Sequence, residues 1–159
     1  MNKYSLPGKI ESEEELDELL SRPTIEAIED LSEIDGDIMI LGVAGKIGPS
    51  LARLIKRAVD EGGLDKRVIG VSRFSNPNVA NKLKLSGIEV ISCDLLNEDA
   101  VNKLLEVSNI MFMVGRKFGT EEDSPLTWTT NIYLPALVAK KFRRSRTARI
   151  TGVIGGQMF

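Results

Sequence analysis

Apolar positions in the first 35 residues recur at helical spacing, whereas from Asp37 onward short apolar runs alternate with helical stretches. Ser12 followed by Glu15 has the form of a capping box ahead of Leu16, Leu19 and Leu20, and predicts a first helix. After Arg22-Pro23 a second helix is expected from Thr24 to Leu31, with Ile25, Ile28 and Leu31 on one face. Asp37-Ile38-Met39-Ile40-Leu41 is nearly continuous in apolar residues, as in a strand buried on both faces. Gly48 to Glu61 follows as an amphipathic helix with Ile47, Leu51, Leu54, Ile55, Ala58 and Val59 as its inner stripe, ended by Gly62-Gly63. Further strands are expected at Arg67–Val71, Ile88–Cys93, Ile110–Val114 and about Ala148–Ile154. The intervening helices are expected at Pro77–Leu85, from a cap at Asn97 to Val107, and from Pro125 to Arg143, the last bent at Pro135.

Strands alternating with helices at this spacing predict a doubly wound α/β fold with a parallel sheet of about five strands, ordered 3-2-1-4-5. Residues 1–35 would form an acidic helical extension and residues 36–159 the α/β domain. The Glu11, Glu13, Glu14 and Glu15 cluster reads as a solvated first turn favoured by the helix dipole, with a binding patch as the alternative.

The turn after the first strand, Gly42-Val43-Ala44-Gly45-Lys46-Ile47-Gly48, carries the chemistry. Its three glycines would permit a tight turn, close approach of a pyrophosphate to the backbone, and close helix packing. Free amides at the helix start can hold a diphosphate, so Gly42, Ala44, Gly45, Lys46, Ile47 and Gly48 are candidate cofactor contacts. This is the Rossmann arrangement for a dinucleotide.

Ser72-Arg73 stands at the end of the second strand, where an acid would accept from the ribose of NAD. A guanidinium can instead pair with a 2′-phosphate, which favours NADP over NAD, although Arg73 could equally pack on adenine. Asp94-Leu95 ends the third strand, where Asp94 either accepts from the adenine amino group or caps the next turn. Val114 and Gly115 should lie against the central ribose and phosphates, with Arg116 and Lys117 placed to reach a phosphate or an acidic substrate.

Composition narrows the chemistry. The chain has 159 residues, close to one domain of roughly 150 residues, with 42% hydrophobic and 28% charged residues. Its net charge of −2 suggests neither nucleic acid nor an acidic membrane as partner. Histidine is absent, which removes imidazole-based nucleophilic catalysis and the commonest zinc ligand. One cysteine, Cys93, makes no internal disulfide and reads as a small buried residue; no metal site is assigned. No leader-like or membrane-spanning apolar run is seen, so the cytoplasm is the expected location.

With the glycine turn, Ser72-Arg73-Phe74, Asp94-Leu95 and Lys117-Phe118-Gly119, the chain resembles the amino-terminal half of the NAD-dependent epimerase/dehydratase family, the extended short-chain dehydrogenases/reductases. Leu41 to Pro49, Thr127 to Asn131 and Leu134-Pro135-Ala136 add to the likeness, which runs from about Leu16 to Arg149. The resemblance implies a nicotinamide cofactor and makes Asn131 the family's structural and proton-relay asparagine; the alternative is an amide that bonds a helix bulge. It also implies a Tyr-x-x-x-Lys pair, but Tyr4 is followed at that distance by Gly8 and Tyr133 by Leu137. The tail from Arg149 to Phe159 likewise lacks the family's Ser-Thr-Gly-x-Val-Tyr run and reads as a truncation or a shifted frame. No catalytic residue is therefore assigned. The expected function is NADP or NAD binding without turnover by these residues alone. The alternatives are a non-catalytic nucleotide-sensing module and a remnant that binds nothing. A homo-oligomer formed through an exposed fifth-strand edge is a further expectation.

Overall fold

The computed structural model describes residues 7–116, 124–143 and 149–152. Two helices lead, α1 (Glu13–Leu20) and α2 (Ile25–Glu33), capped by the side chains of Ser12 and Thr24. The expected box at Ser12 forms with a shift: the Ser12 hydroxyl accepts from the Glu15 amide, while the Glu15 carboxylate takes the amide of Glu11.

The sheet is built from β1 (Ile38–Leu41), β2 (Val68–Ser72), β3 (Glu89–Ser92), β4 (Asn109–Phe112) and β5 (Arg149–Gly152). All four pairings are parallel and the order is β3-β2-β1-β4-β5, as the alternation of elements predicts. Successive residues of β1 face opposite layers. Ile38 and Ile40 pack with Ala52, Ile55 and Val59 of α3 (Gly48–Glu61), together with Leu83 of α4 (Pro77–Leu85). Met39 and Leu41 join the opposite layer, formed by Val101 of α5 (Glu98–Asn102) and by Leu134, Leu137, Val138 and Phe142. These four belong to, or open, α7 (Leu134–Phe142), which follows α6 (Ser124–Trp128). Two apolar layers explain why β1 is buried along its whole length and reads as an unbroken apolar run.

Three expectations need correction. The helix capped by Asn97 ends at Asn102 instead of Val107, because Leu104 and Val107 are buried by the extended connection to β4. Pro135 does not bend a continuous α-helix. Between α6 and α7 the backbone makes a π-helical turn, Thr129–Tyr133, in which the Leu134 amide donates to the Thr129 carbonyl five residues back. Pro135 thus falls in the first turn of α7, where its missing N–H is tolerated. Finally, Ile47, expected on the inner stripe of α3, precedes that helix and is 66% exposed. In the leading helices Leu16 and Leu20 of α1 and Ile25 of α2 are exposed. The side of α1 turned to α3 is polar: Asp17 pairs with Arg53 at 2.8 Å and Glu18 with Arg57 at 3.3 Å.

Among the described residues no helix is long and apolar enough to cross a membrane, and no cluster of three metal-ligating side chains occurs.

Candidate functional site

The carboxyl ends of β1 to β4 open into one cleft of about 460 Å³, within the range of about 300–1,000 Å³ usual for small-molecule sites. Ligands of open α/β sheets bind at this edge, where the strand order reverses on either side of β1.

The turn after β1 forms the cleft's floor. Gly42 adopts φ +85°, and a Cβ there would stand 2.7 Å from Val114 Cγ2 and 3.2 Å from backbone of Met113 and Val114. Only glycine fits both constraints. The amides of Gly42 and Val43 donate to the Val71 carbonyl at 2.8 and 3.3 Å, and the Gly45 amide closes the turn onto the Gly42 carbonyl at 3.0 Å. A Cβ on Gly45 would meet only the Gly42 carbonyl oxygen, at 3.3 Å, so its other side is open. Gly48 is packed against the turn itself: a Cβ there would lie 2.6 Å from the Val43 carbonyl carbon. Val43 is fully buried over β2, where Gly70 leaves the room; a Cβ on Gly70 would fall 2.9 Å from Val43 Cγ1.

The start of α3 is uncapped. Ser12, Thr24, Asn76 and Asn97 each cap a helix with a side chain, but the residue before α3 is Ile47, which makes no such bond. The amides of Lys46, Ile47 and Gly48 have no acceptor among the described residues. Bare donors at the positive end of a 14-residue helix have the chemistry to hold an anion.

Ten of the fifteen residues singled out in the sequence line the cleft: Gly42, Ala44, Gly45, Ser72, Arg73, Asp94, Leu95, Val114, Gly115 and Arg116. Lys46, Ile47 and Gly48 are not among the lining residues; they carry the turn on from Gly45 into α3, and the Ile47 side chain is 66% exposed. Lys117 lies outside the described residues. Asn131 does not line the cleft. Its amide donates to the Arg116 carbonyl and accepts from the Arg116 N–H, each at 2.8 Å, and so ties the loop after β4 to the π-helical turn. Its partner is thus the loop after β4 and not a helix bulge, although Asn131 itself sits in the π-helical turn.

Asp94 is exposed and its carboxylate accepts from the Leu96 amide at 3.1 Å, while its carbonyl takes the Asn97 amide at 3.0 Å. Its carboxylate therefore has a turn-capping role. Leu95 is buried in the core as well as bordering the cleft. Cys93 also reaches the cleft, but burial, and then the neighbouring Asp94 charge, push its thiol above the ordinary value, opposite to what a thiolate nucleophile needs.

Sequence reasoning missed Phe74, Leu96, Thr130 and Leu134, all of which line the cleft. Phe74 has φ +49°, a left-handed conformation unusual for an aromatic residue, and it turns the chain from Ser72-Arg73 toward the start of α4. The adjacent Ser75 and Asn76 signal a turn, but nothing local marks the preceding phenylalanine as its pivot. Thr130 is buried on the π-helical turn, whose phase a regular helical period misplaces.

Comparison with known proteins agrees with this geometry. The model of the NAD dependent epimerase/dehydratase family matches residues 38–151. Among solved structures, the chain is similar to ADP-L-glycero-D-manno-heptose-6-epimerase of Helicobacter pylori at 21% identity and TM-score 0.59, over 73% of this chain and 38% of that one. It is also similar to an oxidoreductase of the short-chain dehydrogenase/reductase family from Burkholderia thailandensis, at 18% identity and TM-score 0.56, over 75% of this chain and 51% of that one. At these identities the likeness is one of fold, and the chain spans about half or less of either structure. No curated protein matches the chain. The family match covers the whole sheet and the site at its edge: this chain belongs to the NAD-dependent epimerase/dehydratase family.

Proposed function

We propose that the cleft binds NADP, with its pyrophosphate on the 42–48 turn and its 2′-phosphate beside Ser72 and Arg73; NAD is the alternative. The uncapped start of α3, whose amides at Lys46, Ile47 and Gly48 make no bond among the described residues and directly follow the glycines that line the cleft, carries the reading. The family binds nicotinamide dinucleotides, and the open side of Gly45 suits close approach of a diphosphate. Arg73 is exposed at the cleft and can pair with a phosphate dianion.

The bound nicotinamide would supply hydride chemistry of the oxidoreductase or epimerase type. The 159 residues contain no Tyr-x-x-x-Lys pair to move the accompanying proton. The proposed role of these residues is therefore to bind and orient the cofactor without turnover, with residues 36–159 as the binding domain and 1–35 as an extension.

Calorimetric titration with NADP and with NAD tests this. Saturable heat with tighter binding of NADP is the expected result. No heat and no rise in melting temperature with either nucleotide at millimolar concentration would refute cofactor binding. Robust steady-state oxidoreductase activity by the chain would refute the non-catalytic part.

A further inference from the structure

The segment that precedes the family match reaches the very helix that carries the site. Asp17 uses both carboxylate oxygens on α3: Oδ1 accepts from the Ser50 hydroxyl at 3.2 Å, and Oδ2 pairs with the Arg53 guanidinium at 2.8 Å. One turn on, Arg57 pairs with Glu18 at 3.3 Å and donates to the Ser21 hydroxyl at 3.0 Å. Ser50 is buried and is the third residue of α3, adjoining the bare amides of 46–48.

This contact is poorly explained as core building. Neither α1 nor α2 contributes a fully buried residue, and the leucines of α1 at 16 and 20 point outward. The polar contacts are concentrated on the first two to three turns of α3. Arg53 holds the Asp17 carboxyl below its ordinary value, so the acid stays charged at neutral pH. Helix ends fray most readily, and α3 begins without a capping side chain. A carboxylate hydrogen-bonded to the side chain of its third residue and ion-paired with that of its sixth restrains that first turn from outside.

We propose that the N-terminal segment orders the phosphate-gripping turn, with Asp17 as a positioning residue that keeps the start of α3 wound and its amides aligned. The effect on nucleotide affinity rests on the function proposed above; the effect on the unliganded helix does not.

Amide hydrogen exchange and NADP calorimetry on the full chain, as wild type, Asp17→Asn and Asp17→Glu, provide the test. Asp17→Asn is expected to speed exchange by about fivefold at residues 51–54, the first amides bonded back into the start of α3, the scale of one partly exposed ion pair, with β1 and β2 unchanged. NADP affinity should fall by a similar factor, and Asp17→Glu should recover part of both. Ser50→Ala, which removes only the hydroxyl arm, should act in the same direction if Asp17→Asn fails to fold. Unchanged exchange at 51–54, or an equal increase throughout the sheet, would overturn the proposal. If the wild type binds no dinucleotide, the binding function fails while the exchange measurement still decides the ordering role.

Discussion

The side-chain amide of Asn131 bonds both backbone groups of one residue, Arg116, donating to its carbonyl and accepting from its N–H at 2.8 Å each. Arg116 lies at the cleft after β4, and Asn131 sits in the middle of the π-helical turn. The extra residue of that turn shifts the helical phase, and the amide it presents fixes the loop's path. Removing a side chain that satisfies part-buried backbone groups costs about 1–3 kcal/mol. Asn131→Ala should lower stability by that amount in urea unfolding and speed amide exchange at 115–116. Asn131→Asp keeps the acceptor but loses the donor, and should fall between the two. Wild-type exchange at 115–116 in the alanine variant would count against the tether.

The three glycines of the turn should separate by consequence. Gly48→Ala drives a Cβ into the Val43 backbone, which cannot withdraw, and Gly42→Ala adds a left-handed φ to a close approach on Val114. Each should destabilise the fold by about 2 kcal/mol or more, from strain and overpacking combined. Gly45 has only the Gly42 carbonyl oxygen within reach, at 3.3 Å. Gly45→Val should therefore leave the melting temperature nearly unchanged while weakening the dinucleotide at least about tenfold, the equivalent of about 1.4 kcal/mol. Thermal melts beside calorimetry separate the effects, and equal stability losses at all three positions would contradict this ordering.

Arg73 should discriminate between cofactors. Loss of a charge-assisted bond to a phosphate costs about 1.5–3 kcal/mol, so Arg73→Ala should weaken NADP by about ten- to a hundredfold. NAD, lacking that phosphate, should change little. Parallel losses for both would instead place the guanidinium on the adenine.

Asp37, just ahead of β1, links the amino ends of two strands. Its carboxylate accepts from the Arg67 guanidinium at 2.6 and 2.8 Å and from the Arg67 amide at 2.8 Å. The guanidinium bond, foremost, lowers its pKa below the ordinary 3.8. A depressed folded pKa means stabilisation that is complete above the unfolded value and lost as pH falls through the folded one. Stability should thus decline as pH drops below about 4, and Asp37→Asn should lose stability at neutral pH while flattening that acid limb. Identical acid limbs for the two proteins, followed by circular dichroism, would exclude the linkage.

Much of this architecture is legible in local pattern. The bounds of α3 and α4 follow from a glycine turn, a capping asparagine and terminal glycines, and the strand order follows from crossover handedness. Sequence alone fails where a distant partner decides. Leu16, Leu19 and Leu20 recur at helical spacing, but the contacts that seat α1 on α3 are the ion pairs of Asp17 with Arg53 and of Glu18 with Arg57. Leu104 and Val107 suit a helix, yet their burial is met by extended chain leading into β4. Most of the cleft was legible because the glycine turn and the strand ends that line it are short contiguous segments. Thr130 and Leu134 were not, because their positions depend on a π-helical turn that no residue type announces.

Gly70, in the middle of β2, leaves the hollow that Val43 fills. The shape of the glycine turn around Val43 is consequently decided when the central strands assemble, before any ligand arrives. A ligand then meets donors whose conformational freedom has already been surrendered, which favours affinity through preorganisation. It also makes Gly70, a residue that touches no ligand, a point at which a single methyl group would alter recognition at the sheet's edge.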